Sequence, residues 1–143
     1  MADMDLSAQF KRLHDDWGEA IRQQSPDWFD RHFADDFVGT AQPWPNLRVD
    51  KKMMIELVRN TEKMDVAWVD IQANRYSDTV LVRGVVHYDR EEFRSGTTVG
   101  QGGPSGDQLA SLVNGRRVLY IDAWRHNGSD WQIYDHHMVG VVG

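Results

Sequence analysis

The sequence predicts an α+β fold, in which helices pack on a curved antiparallel sheet shaped like a cone. Two observations indicate this class. Apolar residues recur at helical spacing in the first 60 residues, whereas beyond Met64 they alternate with polar residues, as they do in strands. Helices first and strands afterwards are typical of α+β layers rather than of a parallel sheet. A cone of this kind leaves an open end that can hold a ligand.

Three helices are predicted in the first part of the chain. The apolar stripe of the first helix consists of Leu6, Phe10, Leu13, Trp17 and Ile21. Ser25 and Pro26 are typical of the start of a short second helix. Asp50 is expected to cap a third helix that extends to Asn60.

Strands are predicted near 37–40 and over roughly 66–73, 79–89, 116–126 and 131–141. Pro43 and Pro45 are expected to prevent regular structure around Trp44. Asn127 and Gly128 favour a tight hairpin turn between the last two strands. The glycine-rich stretch at about 91–114 is predicted to be a long loop with a helical turn at 107–113. The stretch is interpreted as a flexible loop, and its expected functional role is a lid that closes over the mouth of the cone.

Composition limits the class of protein. A length of 143 residues suits one domain, predicted to span 1–143. With 16 basic and 22 acidic side chains the net charge is -6, which argues against a nucleic-acid partner. The acidic start of the chain, residues 1–5, lacks a signal-peptide pattern, and no apolar run could span a bilayer. Together with the lack of cysteine, these features predict a cytoplasmic protein with no membrane partner.

Two segments carry a resemblance to a known family. Phe33-Ala34-Asp35-Asp36 follows two predicted helices, and Tyr120-Ile121-Asp122-Ala123-Trp124-Arg125-His126-Asn127-Gly128 precedes Trp131. This order resembles the nuclear transport factor 2-like superfamily, and more narrowly its SnoaL-like branch. The resemblance implies the cone-shaped fold. The superfamily includes cofactor-free lyases, dehydratases, isomerases and polyketide cyclases. It also includes binding domains without catalysis and association domains that dimerise through the outer face of the sheet.

Known sites of the superfamily are only partly matched. Asp122 corresponds to the aspartic acid that donates a hydrogen bond to the substrate oxyanion in ketosteroid isomerase, but Trp17 and Ala41 replace its tyrosine and its base. Asp135 corresponds to one catalytic acid of limonene epoxide hydrolase, whose other site residues are replaced. The resemblance therefore implies the fold more firmly than the reaction.

Alternation in the last strands predicts which side chains meet in the cone. The apolar residues Trp131, Ile133 and Val139 indicate that Asp135 and His137 point inward with them. The preceding strand is predicted to present inward Val118, Tyr120, Asp122 and Trp124. The family pattern adds, from the strand over 79–89, Leu81, Arg83, Val85 and His87.

These side chains predict an acid–base site. His137 is the expected proton acceptor, tuned by Asp135 or Asp122, while protonated Asp122 and Tyr120 or Arg83 would donate hydrogen bonds to an oxyanion. The expected substrate is a small aromatic or polycyclic carbonyl or hydroxyl compound, converted without a cofactor by a lyase, dehydratase, isomerase or cyclase. Its predicted binding residues are Trp17, Trp44, Arg83, His87 and Trp124.

Other interpretations remain open. The Asp–His pair could be a structural network, and the domain could bind a ligand without catalysis or associate as a homodimer. A metal is not expected, because His136 and His137 are adjacent in a strand and must point to opposite faces. His14 is expected at the surface.

Overall fold

The computed structural model describes residues 4–143, so the first three residues of the acidic N-terminal segment lie outside it. Three helices precede most of the sheet: α1 (Met4–Gln23), α2 (Pro26–His32) and α3 (Lys51–Arg59). A fourth helix, α4 (Gly106–Val113), interrupts the later strands. The strands are β1 (Phe33–Ala41), β2 (Trp44–Val49), β3 (Thr61–Tyr76), β4 (Thr79–Phe93), β5 (Arg116–His126) and β6 (Trp131–Val141).

The strands form a six-stranded sheet in the order β2-β1-β6-β5-β4-β3. All neighbouring strands are antiparallel except β1 and β6, which are parallel. Helix α1 packs against β3, and α4 packs against β4 and β5. We call the face of the sheet that is covered by the helices its inner face, and the hydrophobic core lies between this face and the helices. The predicted α+β class, with a curved sheet packed on helices, is confirmed.

Helix α1 buries the predicted stripe and one polar residue with it. Phe10 is fully buried and Trp17 nearly so, while His14 is 0% exposed. His14 follows Phe10 by four residues, so it lies on the same side of the helix one turn further on. The prediction that His14 is a surface residue is therefore wrong.

The segment around Trp44 is a strand, contrary to the prediction from its prolines. Strand β2 contains Pro45 and lies at the edge of the sheet, where β1 is its neighbouring strand. An edge strand can contain a proline because its free side needs no N–H donor.

The glycine-rich stretch is shorter and more ordered than predicted. Strand β4 continues to Phe93, and Ser105 begins α4 with a capping box to Gln108. The remaining residues 94–105 dock on β2, where Arg48 and Gln101 exchange two backbone hydrogen bonds of 2.8 Å. The segment thus packs against β2 as a wall of the molecule, and its role as a lid stays a prediction.

Strand β6 contains a bulge at Tyr134 opposite β5, and a second one follows at Val139. Ala123 pairs with Asp135 and Trp124 pairs with Ile133, so that Tyr134 is an extra residue on β6. An inserted residue of this kind reverses the inward and outward alternation of the strand that follows it.

The bulge at Tyr134 reverses the predicted inward and outward orientation of the side chains that follow it in β6. Ile133 is buried as expected, but beyond the bulge His136 pairs with the buried Asp122 and faces inward. Asp135 and His137 therefore lie on the outer face, and the prediction that they point inward is wrong. The apolar residues of β6 fall on both sides of the bulge, so their alternation gave a false phase.

Strand β4 also has the opposite orientation to the prediction. Val82 pairs with Asp122, and both face the core. The four residues predicted to point inward instead lie on the outer face: Leu81, Arg83, Val85 and His87. The family pattern misplaced the alternation of this strand, in which both faces carry valines.

Candidate functional site

The centre of the inner face is a carboxylate between two imidazoles. Asp122 on β5 is 2% exposed. Its Oδ1 lies 2.5 Å from His136 Nδ1, and its Oδ2 lies 3.4 Å from His14 Nε2. One helix and two strands therefore bring three ionisable groups into a single buried cluster, which we call the His14–Asp122–His136 cluster.

The backbone fixes the orientation of His14 within this cluster. Its Nδ1–H donates to the Phe10 carbonyl oxygen at 2.7 Å, which leaves Nε2 facing Asp122. Burial alone would raise the pKa of Asp122. The positive charge that His136 has when protonated, its hydrogen bond, and the hydrogen bond and charge of His14 outweigh burial and hold that pKa below its usual range. Asp122 is thus ionised at neutral pH, so it is not the protonated hydrogen-bond donor that the sequence predicted.

His136 stacks on Tyr120, which is hydrogen-bonded to a second tyrosine. Its ring lies parallel to that of Tyr120, with 4.6 Å between centroids and 9° between planes. The hydroxyls of Tyr120 and Tyr88 share a hydrogen bond of 2.6 Å. Burial raises the pKa of both tyrosines, so both phenols are neutral hydrogen-bond donors.

Two small cavities border the His136–Tyr120 stack, and both residues line each of them. The Trp17 cavity has a volume of about 50 Å³. The Trp44 cavity has a volume of about 90 Å³. Either is larger than the roughly 30 Å³ that one water molecule occupies in the liquid. A ligand in either cavity would contact His136 and Tyr120.

The walls of the two cavities are mostly apolar. The Trp17 cavity includes side chains from α1, β3 and β4: Trp17, Ile21, Val66, Trp68 and Val86. The Trp44 cavity includes side chains from β2, α3, α4 and the glycine-rich segment: Trp44, Leu47, Met54, Leu57, Val99 and Leu109. The docked glycine-rich segment therefore encloses the cavity through Val99.

A larger groove of about 480 Å³ lies at the surface beside α3. Its charged residues pair with one another, as Lys51 does with Asp35. The groove is open and lies apart from the buried cluster. The smaller cavities beside His136 are therefore the better candidate site.

A further ionisable group is buried near the tyrosines. Glu91 on β4 is 7% exposed, and burial raises its pKa to about 8. Its charge, when present, raises the pKa of Tyr88 and Tyr120. At pH 7 this carboxyl is mainly protonated.

The residues predicted to be catalytic fall on two faces. Asp122 and Tyr120 lie inside, next to the cavities. Asp135 is exposed, and His137 Nδ1 shares a hydrogen bond of 2.7 Å with the hydroxyl of Thr40 on the outer side. The structure therefore separates His137 from Asp122, one of the two carboxylates predicted to tune it, and leaves Asp135 on the outer face with it.

The residues predicted to bind substrate are also divided. Trp17 and Trp44 line the two cavities. Trp124 is 0% exposed and packs in the core against Phe10 and His14. Arg83 and His87 lie on the outer face, away from both cavities.

Sequence reasoning missed His14 and His136. The helical stripe could have indicated His14, because it lies four residues after Phe10 and three before Trp17. His136 was excluded by the alternation of β6, and nothing in that alternation marks the bulge.

No group of three or more histidine, aspartate or glutamate side chains within residues 4–143 is arranged to hold a metal ion. In the central cluster the imidazole nitrogens face carboxylate oxygens instead of a common point. None of the helices in this part of the chain is both long enough and apolar enough to cross a membrane.

Comparison with solved structures gives consistent matches over the whole chain. A nuclear transport factor 2-like protein from Cytophaga hutchinsonii matches with a TM-score of 0.67 at 15% identity, covering 98% of this chain and 99% of that one. A candidate dehydratase of the same fold family from Streptomyces avermitilis matches with a TM-score of 0.64 at 16% identity, covering 96% of each chain. A candidate calcium/calmodulin-dependent kinase II association domain from Exiguobacterium sibiricum has a TM-score of 0.65 at 10% identity, covering 100% of this chain and 97% of that one.

The chain has the nuclear transport factor 2-like fold, as its sequence predicted. No family model matches the sequence, and no curated protein matches it significantly. At identities of 10% to 16% the structural likeness establishes the fold and not the reaction.

Proposed function

We propose that this chain is a cofactor-independent acid–base enzyme in which His136 moves the proton. The observation that carries the proposal is the Asp122–His136 contact of 2.5 Å at the wall of two cavities. A carboxylate that accepts the Nδ1–H of an imidazole fixes its tautomer and leaves Nε2 as the base. Among the described residues, none hydrogen-bonds to His136 Nε2.

The roles differ from those predicted from the sequence. His136 replaces His137 as the proton acceptor, and Asp122 orients it as an ionised carboxylate. Tyr120 is the proposed donor to the oxygen that gains negative charge, because its phenol is neutral and lies beside His136.

The proposed reaction begins with removal of a proton from the carbon next to a carbonyl group. His136 Nε2 accepts this proton, and the resulting enolate oxygen accepts a hydrogen bond from Tyr120. The imidazolium then returns the proton to another carbon, as in isomerisation, or to a departing hydroxide, which leaves as water. The likeness to a candidate dehydratase supports the second outcome.

The cavities favour a small, uncharged substrate. Among the described residues that line either cavity, none is aspartate, glutamate, lysine or arginine, so no ion pair would hold a charged ligand. Both volumes are below the roughly 150 Å³ of an engineered cavity that binds benzene. We therefore propose a carbonyl or hydroxyl compound smaller than a six-membered ring, in place of the predicted aromatic or polycyclic class.

Hydrogen exchange tests the proposal without knowledge of the natural substrate. Acetone, which is small enough for the larger cavity, is incubated with the protein in D₂O, and loss of its α-proton signal is followed by NMR. We expect acceleration by the wild type, and a loss of roughly 10²- to 10⁴-fold in His136→Gln. The control is His137→Gln on the outer face, which should keep the wild-type rate. An undiminished rate in His136→Gln would show that another group is the base.

A second candidate function is association through the outer face of the sheet. Leu81 is 39% exposed and Ile121 42% exposed on this face, and a likeness to a candidate association domain accompanies them. We propose a homodimer that buries these side chains. Sedimentation equilibrium should give a dimer for the wild type and a monomer for Ile121→Lys. A wild-type monomer would contradict this.

The cytoplasmic location stays a proposal, with which the cysteine-free sequence agrees.

A further inference from the structure

His14 is the buried ionisable group that the proposed reaction does not use. It is 0% exposed and enclosed by the rings of Trp17, Trp68 and Trp124. The ionisable groups that face it are Asp122 from β5 and, beyond that carboxylate, His136 from β6. Further along the same inner face lie the other ionisable side chains: Tyr120, Tyr88 and Glu91.

The hydrogen bonds of His14 determine where a proton must be. Its Nδ1–H is committed to the Phe10 carbonyl oxygen at 2.7 Å, so a neutral ring would present the Nε2 lone pair to Asp122. Two lone pairs facing each other across 3.4 Å in a buried site repel, whereas one shared proton makes the contact attractive. Because Asp122 is ionised, that proton belongs to His14.

We propose that His14 is an imidazolium that balances the charge of Asp122 and thereby keeps His136 free to accept a proton at neutral pH. The cluster then consists of one cation, one anion and one neutral imidazole, with no net charge. A buried cluster without net charge avoids the large cost of an unpaired ion. His14 is thus a positioning residue, since it acts on the reaction only through Asp122 and His136.

This role predicts the direction of change when the charge of His14 is lost. Asp122 would then be an unbalanced anion beside His136, and it would stabilise the protonated form of that ring. His136 would be protonated over more of the neutral pH range and would be a poorer base there. The inference rests on the proposed function only for the use of His136 as base, because the charge arrangement does not depend on turnover.

An NMR titration of the His136 imidazole tests the proposal without a substrate. In His14→Gln, which keeps an N–H donor but has no charge, the titration midpoint of His136 should move up by about one pH unit. The matched control is His32→Gln. His32 is likewise buried and bonded through Nδ1 to a carbonyl, that of Trp131 at 2.9 Å, but it lies outside the cluster. An unchanged midpoint in His14→Gln would overturn the proposal.

Two further measurements keep the test decisive if the His14 variant folds poorly. In the wild type at pH 7, both ring nitrogens of His14 should have the nitrogen-15 shifts of an imidazolium, and a free Nε2 lone pair would overturn the inference. In an Asp122→Asn background, His14→Gln should barely move the His136 midpoint, because no carboxylate remains to be balanced. An equal shift in that background would also overturn it.

The outcomes distinguish this inference from the proposed function. A charged His14 with no exchange activity would leave the inference standing and refute the enzyme proposal. Loss of exchange activity in His136→Gln together with a neutral His14 would support the enzyme proposal and refute this inference. If both proposals hold, the acidic limb of the exchange-rate profile should move to higher pH in His14→Gln.

Discussion

The two faces of the β5–β6 pair carry the same residue types with different results. On the inner face Asp122 and His136 are directly paired and enclosed, and a second imidazole backs the carboxylate. On the outer face Asp135 and His137 lie in the same strand, but His137 bonds to Thr40 and Asp135 is exposed. An aspartate and a histidine that are neighbours in a sheet therefore form a candidate catalytic site in this fold only where the core also encloses them.

The bulge at Tyr134 decides which pair is enclosed. Without the extra residue, the phase set by Ile133 would have carried Asp135 and His137 inward instead of His136. The inner and outer faces can be compared by variants that make the same chemical change on each.

The largest difference should come from removing each aspartate. Asp122→Ala leaves two buried imidazoles without their carboxylate, and we expect a loss of about 3–5 kcal/mol in the free energy of unfolding. Asp135→Ala on the outer face should change that free energy little. Urea denaturation at pH 7 measures both, and similar losses in the two variants would contradict the division between the faces.

The next difference concerns pH and the neighbouring carboxyls Glu91 and Glu92. Folding raises the pKa of Glu91 from 4.5 to about 8 through burial, so its protonated form stabilises the native state. That contribution is complete below pH 4.5 and is lost as the pH rises towards 8. The loss amounts to about 1.4 kcal/mol for each pH unit in this window.

The variant Glu91→Gln should remove this slope, because a neutral amide replaces the acid at nearly the same size. The control is Glu92→Gln, at a position that pairs with Arg90 on the exposed side and should keep the wild-type slope. Urea denaturation across pH 4.5–8 measures the slopes. Equal slopes in the wild type and Glu91→Gln would refute the assignment.

The smallest difference should come from two tyrosine hydroxyls. Tyr88→Phe leaves the buried Tyr120 hydroxyl without its 2.6 Å partner, and should cost about 1–3 kcal/mol. Tyr134→Phe removes a 2.9 Å contact with Thr79 that is only part-buried, where water can take its place, and should cost less. Thermal denaturation can rank the two variants, and the opposite order would contradict the enclosure of the inner pair.

The sequence predicts much of the fold because most helices, strands and turns depend on residues that are close together in the sequence. The ends of β5 and β6 follow from the apolar residues that each strand contains and from the Asn127-Gly128 turn, and α3 follows from its Asp50 cap. The inward face of β5, with Tyr120 and Asp122, is also as predicted. Strand β2 was missed because its neighbours in the sheet, not its prolines, determine whether it can pair.

The site was harder to predict than the fold. Its membership depends on one extra residue in β6 and on a helix position whose partner lies 108 residues further along the chain. Alternation cannot detect a bulge when apolar residues lie on both sides of it. His14 could have been found from its place one turn after Phe10, but its partner could not.

The parallel pairing of β1 with β6 has a consequence for how the chain folds. Phe33 pairs with Ile133, so this ladder joins segments that are far apart in sequence. Contacts of such long range are slow to form, and a growing chain lacks β6 until β1 to β5 have all been synthesised. Before β6 inserts between β1 and β5, the β1–β2 pair and the β3–β4–β5 sheet each have an open edge. We expect insertion of β6 to be the late, rate-limiting step, and the same step delivers His136 to Asp122.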